Sequence, residues 1–324
     1  MRFRTFGRTG WKISEIGFGA WQIGGDWGKV DDKVSIDTLH YAFEKGINFV
    51  DTAELYGNGH SEEVIGRALK QWSGNKIYIA TKTRPIIWPD PNDDHPQMRG
   101  RFPEWYLREN IENSLRRLQI ECIDLFQLHS FMPSAMVELD WLETLMKLRR
   151  EGKIDRIGVS LRDNRPQEGV DLVAAGLVDS VQCIFNMFEQ RPTGDLFREG
   201  ARTNTAFIAR VPLDSGALVG HWTKDSYANF ELGSQPHTMF RGERFGETLT
   251  RVEKLKTLCK PYYSTLAEAA MRYVLSAPEL STLIPGMLNR EQVDMNIAYC
   301  DGAEFPDEIK RELPNHIWIR DYYH

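Results

Sequence analysis

Eight short apolar runs punctuate the chain and constrain its fold more than any other feature. They are ISEIGFGA (13–20), INFVD (47–51), IYIATK (77–82), IDLFQLH (123–129), IDRIGVS (154–160), DSVQCIF (179–185), AFIAR (206–210) and STLIPG (281–286). Their length and β-branched content read as strands, and apolar runs without alternation suit strands covered on both faces. Helical patterns lie between most of them, over 34–45, 62–71, 105–118, 135–151 and 266–276; in the third, Leu107, Ile111, Leu115 and Leu118 share one face. Strand followed by helix, repeated eight times, predicts an α/β fold of the (β/α)8 TIM-barrel type. The stretch RFRTFGRTGWKIS, with Gly7 and Gly10 around a turn, predicts an N-terminal β-hairpin closing the barrel floor. No linker, internal repeat or low-complexity tract interrupts 1–324, so a single domain is expected.

Two connections are much longer than the rest. Residues 84–103 hold five of the fifteen prolines and no helical period, and 211–246 are rich in Gly, Ser, Asn and aromatics. Both follow the C-terminal ends of strands, the face on which barrel enzymes keep their active sites, and are read as substrate and cofactor loops.

Composition narrows the partners. With 324 residues, 41% of them hydrophobic, the chain can bury a large core. Forty basic against 46 acidic residues give a net charge of −6, with no basic block to track a phosphate backbone, which argues against nucleic acid. No stretch of about 18 apolar residues suggests a membrane span, and the first residues lack the apolar core of a secretion signal, so a cytoplasmic protein is expected. Cys122, Cys183, Cys259 and Cys300 show neither CxxC nor zinc spacing and read as reduced structural thiols.

On the barrel frame, four reactive side chains fall on one rim. Asp51 ends the second run, Tyr56 follows it in a loop, Lys82 ends the third and His129 ends the fourth. Taken singly, the acid reads as a helix cap and the histidine as a satisfied core group. Together they describe proton delivery to a carbonyl oxygen. A free phenol with a pKa of ~10 holds its proton too tightly, and a nearby ammonium, Lys82, is expected to lower that value. Asp51 would keep Lys82 charged, and His129 would donate a second hydrogen bond to the oxygen gaining negative charge.

In this order and on these strand ends, Asp51, Tyr56, Lys82 and His129 resemble the catalytic tetrad of the aldo-keto reductases. FVDTAELYGNGHSEEVIGRAL is similar to that family's first signature, and the resemblance continues through IDLFQLH, KIDRIGVS, VQCIFN, IARVPLDSGAL and IPGMLNREQVDMN. The later segments look most like the bacterial branch related to general stress and inositol-operon reductases. The resemblance implies an NAD(P)H-dependent oxidoreductase that reduces aldehydes and ketones to small-molecule alcohols, with hydride from nicotinamide. It further implies that Ser160 and Gln182 hold the carboxamide and that Arg210 takes the place of an aromatic ring stacker. Leu213, Ser215 and Gly216 would lie along the pyrophosphate, and Gly286, Gln292 and Asn296 around the adenosine. Leu161 stands where the family often has Asn. Met287, Leu288 and Asn289 stand where bases often meet a 2′-phosphate, leaving Arg290 to supply an expected modest preference for NADP(H), with NAD(H) also open. Two other readings are a sugar or polyol dehydrogenase working with NAD and a slow redox sensor on the same scaffold. Oligomeric state is not legible.

GFGAWQIGG (17–25) lacks dinucleotide-loop glycine spacing and reads as a first-strand loop offering Trp21 and Trp27 as substrate walls. DPNDDH (90–95) lacks ligand periodicity and reads as a solvated loop, so no metal is expected. Trp88 is either a lid residue or a packed side chain. Arg84 either meets a polar substrate or pairs with an acid.

Overall fold

A computed structural model describes residues 1–322. Its strands are β1 (Phe3–Thr5), β2 (Lys12–Ser14), β3 (Phe18–Gly19), β4 (Phe49–Asp51), β5 (Tyr78–Thr83), β6 (Ile123–Phe131), β7 (Ile154–Leu161), β8 (Ser180–Ile184), β9 (Ala206–Arg210) and β10 (Leu280–Leu283). Strands β3 to β10 form one eight-stranded sheet in sequence order, and every pair is parallel. Parallel bridges Ile16↔Leu283 and Gly19↔Gly286 join the first barrel strand to the last and close the ring.

Each expected strand is present, though the first apolar run is shared. Ile13 and Ser14 belong to the antiparallel β1–β2 hairpin, and only Phe18 and Gly19 enter the barrel as a strand. Helices Asp32–Glu44, His60–Gln71, Glu104–Leu118 and Leu266–Leu275 match four of the expected patterns within two residues. The fifth needs correction. The turn around Val137 and Glu138, where the Ala135 carbonyl accepts from the Trp141 indole N–H at 3.1 Å instead of from a helical N–H, divides the 135–151 pattern into a 3-10 turn, Pro133–Met136, and a helix, Asp140–Arg150. Segment 211–246 is likewise not featureless: it folds into 3-10 turns, a short helix Gln235–Met239 and the start of helix Glu243–Cys259. Segment 84–103 carries no helix or strand.

Strand periodicity divides the barrel interior into an apolar base and a polar top. Phe49, Ala80, Leu125, Ala206, Ile208 and Ile284 form a separate buried cluster with Phe6 and Ile13 of the hairpin. Two residues further along the same inward faces stand Asp51, Lys82, Gln127 and Arg210, where the strands reach the C-terminal rim. The hairpin therefore plugs the floor, as expected: Phe6 stacks on Trp11 at 5.7 Å and lies 5.6 Å from Phe49, while Trp11 covers Tyr78 at 4.8 Å.

Buried polar contacts fix the loop that carries Tyr56. Glu62, wholly buried, accepts from Thr81 Oγ1 at 2.5 Å and pairs with Arg117 Nη2 at 2.6 Å, tying helix His60–Gln71 to β5 and to helix Glu104–Leu118. Gly57 has φ +61°, and a Cβ there would stand 2.4 Å from the carbonyl oxygen of Gly24. Two backbones thus meet directly beside the phenol, a contact that needs glycine.

Phe6→Ala should cost ~3–5 kcal/mol, the usual range for emptying a fully buried aromatic site. A fall in the urea midpoint with an unchanged denaturant slope would show this. A loss under about 1 kcal/mol would mean that the hairpin does not seal the barrel.

Candidate active site

The structure brings the four rim residues together. Lys82 Nζ donates to Asp51 Oδ1 at 2.6 Å and to the Thr52 carbonyl at 2.8 Å, and it lies 3.3 Å from the Tyr56 hydroxyl. Asp51 is also held on its other oxygen, which accepts from Gln182 Nε2 at 2.8 Å and from Gln127 Nε2 at 3.2 Å. Lys82 is 0% and Asp51 2% exposed, so the pair is screened by these side chains rather than by water. His129 does not simply end its strand. β6 runs on to Phe131, and its register against β7 shifts between Leu128 and Phe131, a bulge of the kind that re-aims a side chain beside a site. The imidazole meets the Tyr56 ring edge-on at 5.8 Å.

The electrostatics correct one expectation. Burial pushes the Tyr56 phenol upward, Lys82 draws it down, and the net result lies above the ordinary value of 10.0. Lys82 therefore moderates the phenol without bringing it toward neutrality. For an acid this means that the proton is in place throughout the physiological range. Burial pulls the Lys82 ammonium down, but Asp51 and Tyr56 more than offset it, and its pKa is raised. Burial, followed by the charges of Lys82, Arg210 and Arg84, holds His129 well below its ordinary 6.5. A neutral imidazole offers one N–H without bringing a second cation to the site.

Aromatic walls stand around the phenol and imidazole. Trp21 stacks on Tyr56 at 5.9 Å, Trp27 meets Trp21 edge-on at 5.3 Å, and Trp88, from the long loop after β5, meets His129 at 6.1 Å. Trp88 is 44% exposed, so it flanks the mouth rather than packing in a core. Arg84 takes the pairing alternative, with its guanidinium 3.8 Å from Glu54. In the DPNDDH loop, Asp90 and Asp93 cap the local N–H groups of Asn92 and His95, and Asp94 pairs with Arg165 at 2.7 Å.

The expected cofactor residues fall along one strip of the rim. Ser160 pairs in register with Gln182 across β7 and β8, both buried, and Arg210 ends β9. Beyond it Val211, Asp214, Ser215 and Gly216 all have positive φ, in a tight turn whose Asp214 and Gly216 N–H groups donate to the Val211 and Leu213 carbonyls at 3.0 Å. Leu213 opens this turn. After β10, Asn289 caps helix Arg290–Ala298, as the residue order predicts, and puts Arg290 in its first turn. Gln292 Oε1 is committed to the Leu288 N–H at 2.7 Å, and the Arg290 guanidinium lies over the Tyr41 ring at 5.1 Å.

Buried atoms without partners test whether a nucleotide fits here. Asn296 Oδ1 and Gln22 Oε1 are both buried acceptors lacking a donor. Gln22 Oε1 lies 2.4 Å from where a side chain at Gly286 would begin. Unmet amide acceptors, one of them beside a glycine that leaves room for a ligand, match the amino and hydroxyl donors of a nucleotide. Sequence reasoning missed Gln22, and also Gln127 and Asp163, which binds Arg210. The inward period of β6 could have found Gln127, two residues before His129. Nothing local marks the other two.

Residues 15–315 match the family model described as the aldo/keto reductase family. The chain belongs to this family. Among curated aldo/keto reductases and related enzymes it is 32% identical to the aldo-keto reductase YhdN of Bacillus subtilis (strain 168), over 86% of this chain and 82% of the relative. It is 28% identical to an NADH-specific methylglyoxal reductase of Escherichia coli (strain K12), covering 92% and 93%. A solved glycerol dehydrogenase of Gluconobacter oxydans superposes with a TM-score of 0.73 at 28% identity, covering 94% of this chain and 92% of that one. As an aldo/keto reductase the protein is an oxidoreductase acting with a nicotinamide cofactor on a small-molecule substrate. No helix among the described residues is long and apolar enough to cross a membrane.

If Tyr56 is the proton donor, its raised phenol would set the pH behaviour of this aldo/keto reductase. Reduction would need the protonated phenol, so its rate should stay flat through neutrality and fall only as pH approaches the raised Tyr56 value. Alcohol oxidation would need the phenolate and should rise with pH. Lys82→Met removes the group that draws the phenol down and should move the oxidation limb to higher pH. Oxidation rates measured against pH for both proteins test this; superimposable limbs would leave Lys82 a structural ion-pair partner.

Proposed function

We propose that the protein is a single-domain cytoplasmic carbonyl reductase in which Tyr56 gives the proton to the substrate oxygen. The observation that carries this reading is the Lys82 ammonium, hydrogen-bonded to Asp51 at 2.6 Å and 3.3 Å from the Tyr56 hydroxyl. When bound, the reduced nicotinamide supplies the hydride. Tyr56 holds its proton until the carbonyl oxygen gains charge, and Lys82 then stabilises the phenolate left behind. Asp51 keeps the ammonium charged, and Gln127 and Gln182 keep the carboxylate oriented. Neutral His129 donates its N–H to the same oxygen. Trp21, Trp27 and Trp88 exclude water and hold the carbonyl near the phenol. Ser160 and Gln182 would hold the carboxamide, with Arg210 against the ring. Leu213, Ser215 and Gly216 would hold the pyrophosphate, and Gly286, Gln292 and Asn296 the adenosine. The four cysteines, all free thiols, support a reducing compartment.

Tyr56→Phe deletes only the proton donor, so cofactor binding should persist while carbonyl reduction falls ~10²–10⁴-fold. Retention of more than about half of kcat, with a substrate whose chemistry limits the rate, would remove Tyr56 from that role.

The preferred cofactor is NADPH, by a modest margin, through Arg290. Its place in the first turn of a capped helix puts a guanidinium beside free N–H groups, and a 2′-phosphate needs such charge-assisted donors. Its stacking on Tyr41 fixes where the guanidinium rests. Arg290→Ala should cost NADPH roughly 10–150-fold in affinity and leave NADH little changed. A wild type that already prefers NADH, as the Escherichia coli methylglyoxal reductase does by name, would contradict the assignment.

One observation favours a second reading, in which the same residues oxidise a polyol. The Trp27 indole N–H is buried without a partner beside the aromatic wall, a donor for an oxygen adjacent to the reacting carbon. The likeness to a glycerol dehydrogenase agrees with it.

A further inference from the structure

Arg210 does not stand at the rim alone. Its guanidinium forms an ion pair with Asp163 and donates to the Leu161 carbonyl at 3.2 Å, and both charged side chains are largely buried, at 17% and 22% exposure. Asp163 belongs to the short segment after β7, which is itself anchored on every side. Arg162 pairs with Glu168 and donates to the Asp93 carbonyl at 2.9 Å. Asn164 donates to the Arg320 carbonyl and accepts from Arg191 at 2.6 Å, and Arg165 reaches Asp94 at 2.7 Å. The segment that carries Asp163 is thus held in place, and the Asp163 carboxylate holds Arg210.

Charge makes this pair more than a brace. An aromatic residue under a nicotinamide ring is neutral, whereas a guanidinium is always positive. The oxidised ring is a cation and the reduced ring is not, so an uncompensated arginine would disfavour the oxidised cofactor. A carboxylate bonded to that arginine largely cancels the difference.

We infer that Asp163 is a positioning residue that sets the plane of Arg210 and neutralises its charge, and thereby tunes the relative affinity for oxidised and reduced cofactor. The inference rests on the reading that Arg210 faces the nicotinamide ring. Removing the carboxylate should weaken NADP⁺ roughly tenfold more than NADPH, an effect of the size that one charge at close range produces in a partly buried site.

Equilibrium dissociation constants of NADP⁺, NADPH and ADP-ribose 2′-phosphate, which lacks the nicotinamide, test it in wild type, Asp163→Asn, Arg210→Met and the double variant. Asp163→Asn should raise the NADP⁺ to NADPH ratio of dissociation constants and leave ADP-ribose 2′-phosphate unchanged. In the Arg210→Met background the uncompensated Asp163 carboxylate favours the cationic ring, so the double variant should bind NADP⁺ more weakly than Arg210→Met does while NADPH and ADP-ribose 2′-phosphate stay unchanged between them. Equal weakening of all three ligands by Asp163→Asn, or an NADP⁺ to NADPH ratio of dissociation constants that Asp163→Asn leaves unchanged, would overturn the inference and reduce the pair to a structural clasp. If Arg210→Met instead weakened ADP-ribose 2′-phosphate as much as NADPH, the arginine would not face the ring, and the underlying reading would fail first.

Discussion

A lysine ammonium sealed inside a barrel is the constraint on which the rest of the site depends. Lys82 has no exposure to water, and a charge so placed persists only if other groups replace its solvent. Asp51 supplies the counter-charge, the Thr52 carbonyl a second acceptor and the Tyr56 oxygen a third neighbour. The demand then passes outward. Asp51 has a second oxygen to satisfy, and Gln127 and Gln182 reach it from two further strands. Four barrel strands thus contribute to one buried charge network, and closure of the barrel holds them at the required distances.

The same constraint explains the division of the barrel interior. A polar network excludes water only if the space beneath it is filled, and the apolar base supplies that filling with Phe49, Leu125 and Ile208 over the hairpin plug of Phe6 and Ile13. Above the network the walls are aromatic and lie within 6.1 Å of Tyr56 or His129 or of each other. The reacting oxygen would meet a donor whose proton is firmly held until charge develops, and an imidazole kept neutral by burial and surrounding cations. Both properties arise from low polarity around fixed charges rather than from the side chains' intrinsic acidities.

Much of this was legible in the residues, for physical reasons. Strands buried on both faces must be apolar, so the eight runs showed themselves, and residues at the ends of such runs must lie on one rim. That placed Asp51, Lys82 and His129 together. Other features leave no local trace. The ion pair of Asp163 with Arg210 joins residues 47 apart in sequence, and the unmet acceptor of Gln22 is defined only by its approach to Gly286. The break at 137–139 in an otherwise continuous helical pattern is equally silent, since the Ala135 carbonyl is taken by the Trp141 indole N–H at 3.1 Å rather than by a helical N–H. The direction of the Tyr56 shift is likewise not legible, because a nearby ammonium can be read from sequence, whereas the extent of burial cannot.

In the proposed mechanism Asp51 acts on the chemistry through Lys82 rather than beside it. A double-mutant cycle on single-turnover carbonyl reduction, with Asp51→Asn, Lys82→Met and the double variant, measures that coupling directly. The double variant should be no slower than Lys82→Met alone, because Asp51 has nothing left to hold charged. Losses that multiply, leaving the double variant slower by the product of the two single effects, would contradict it.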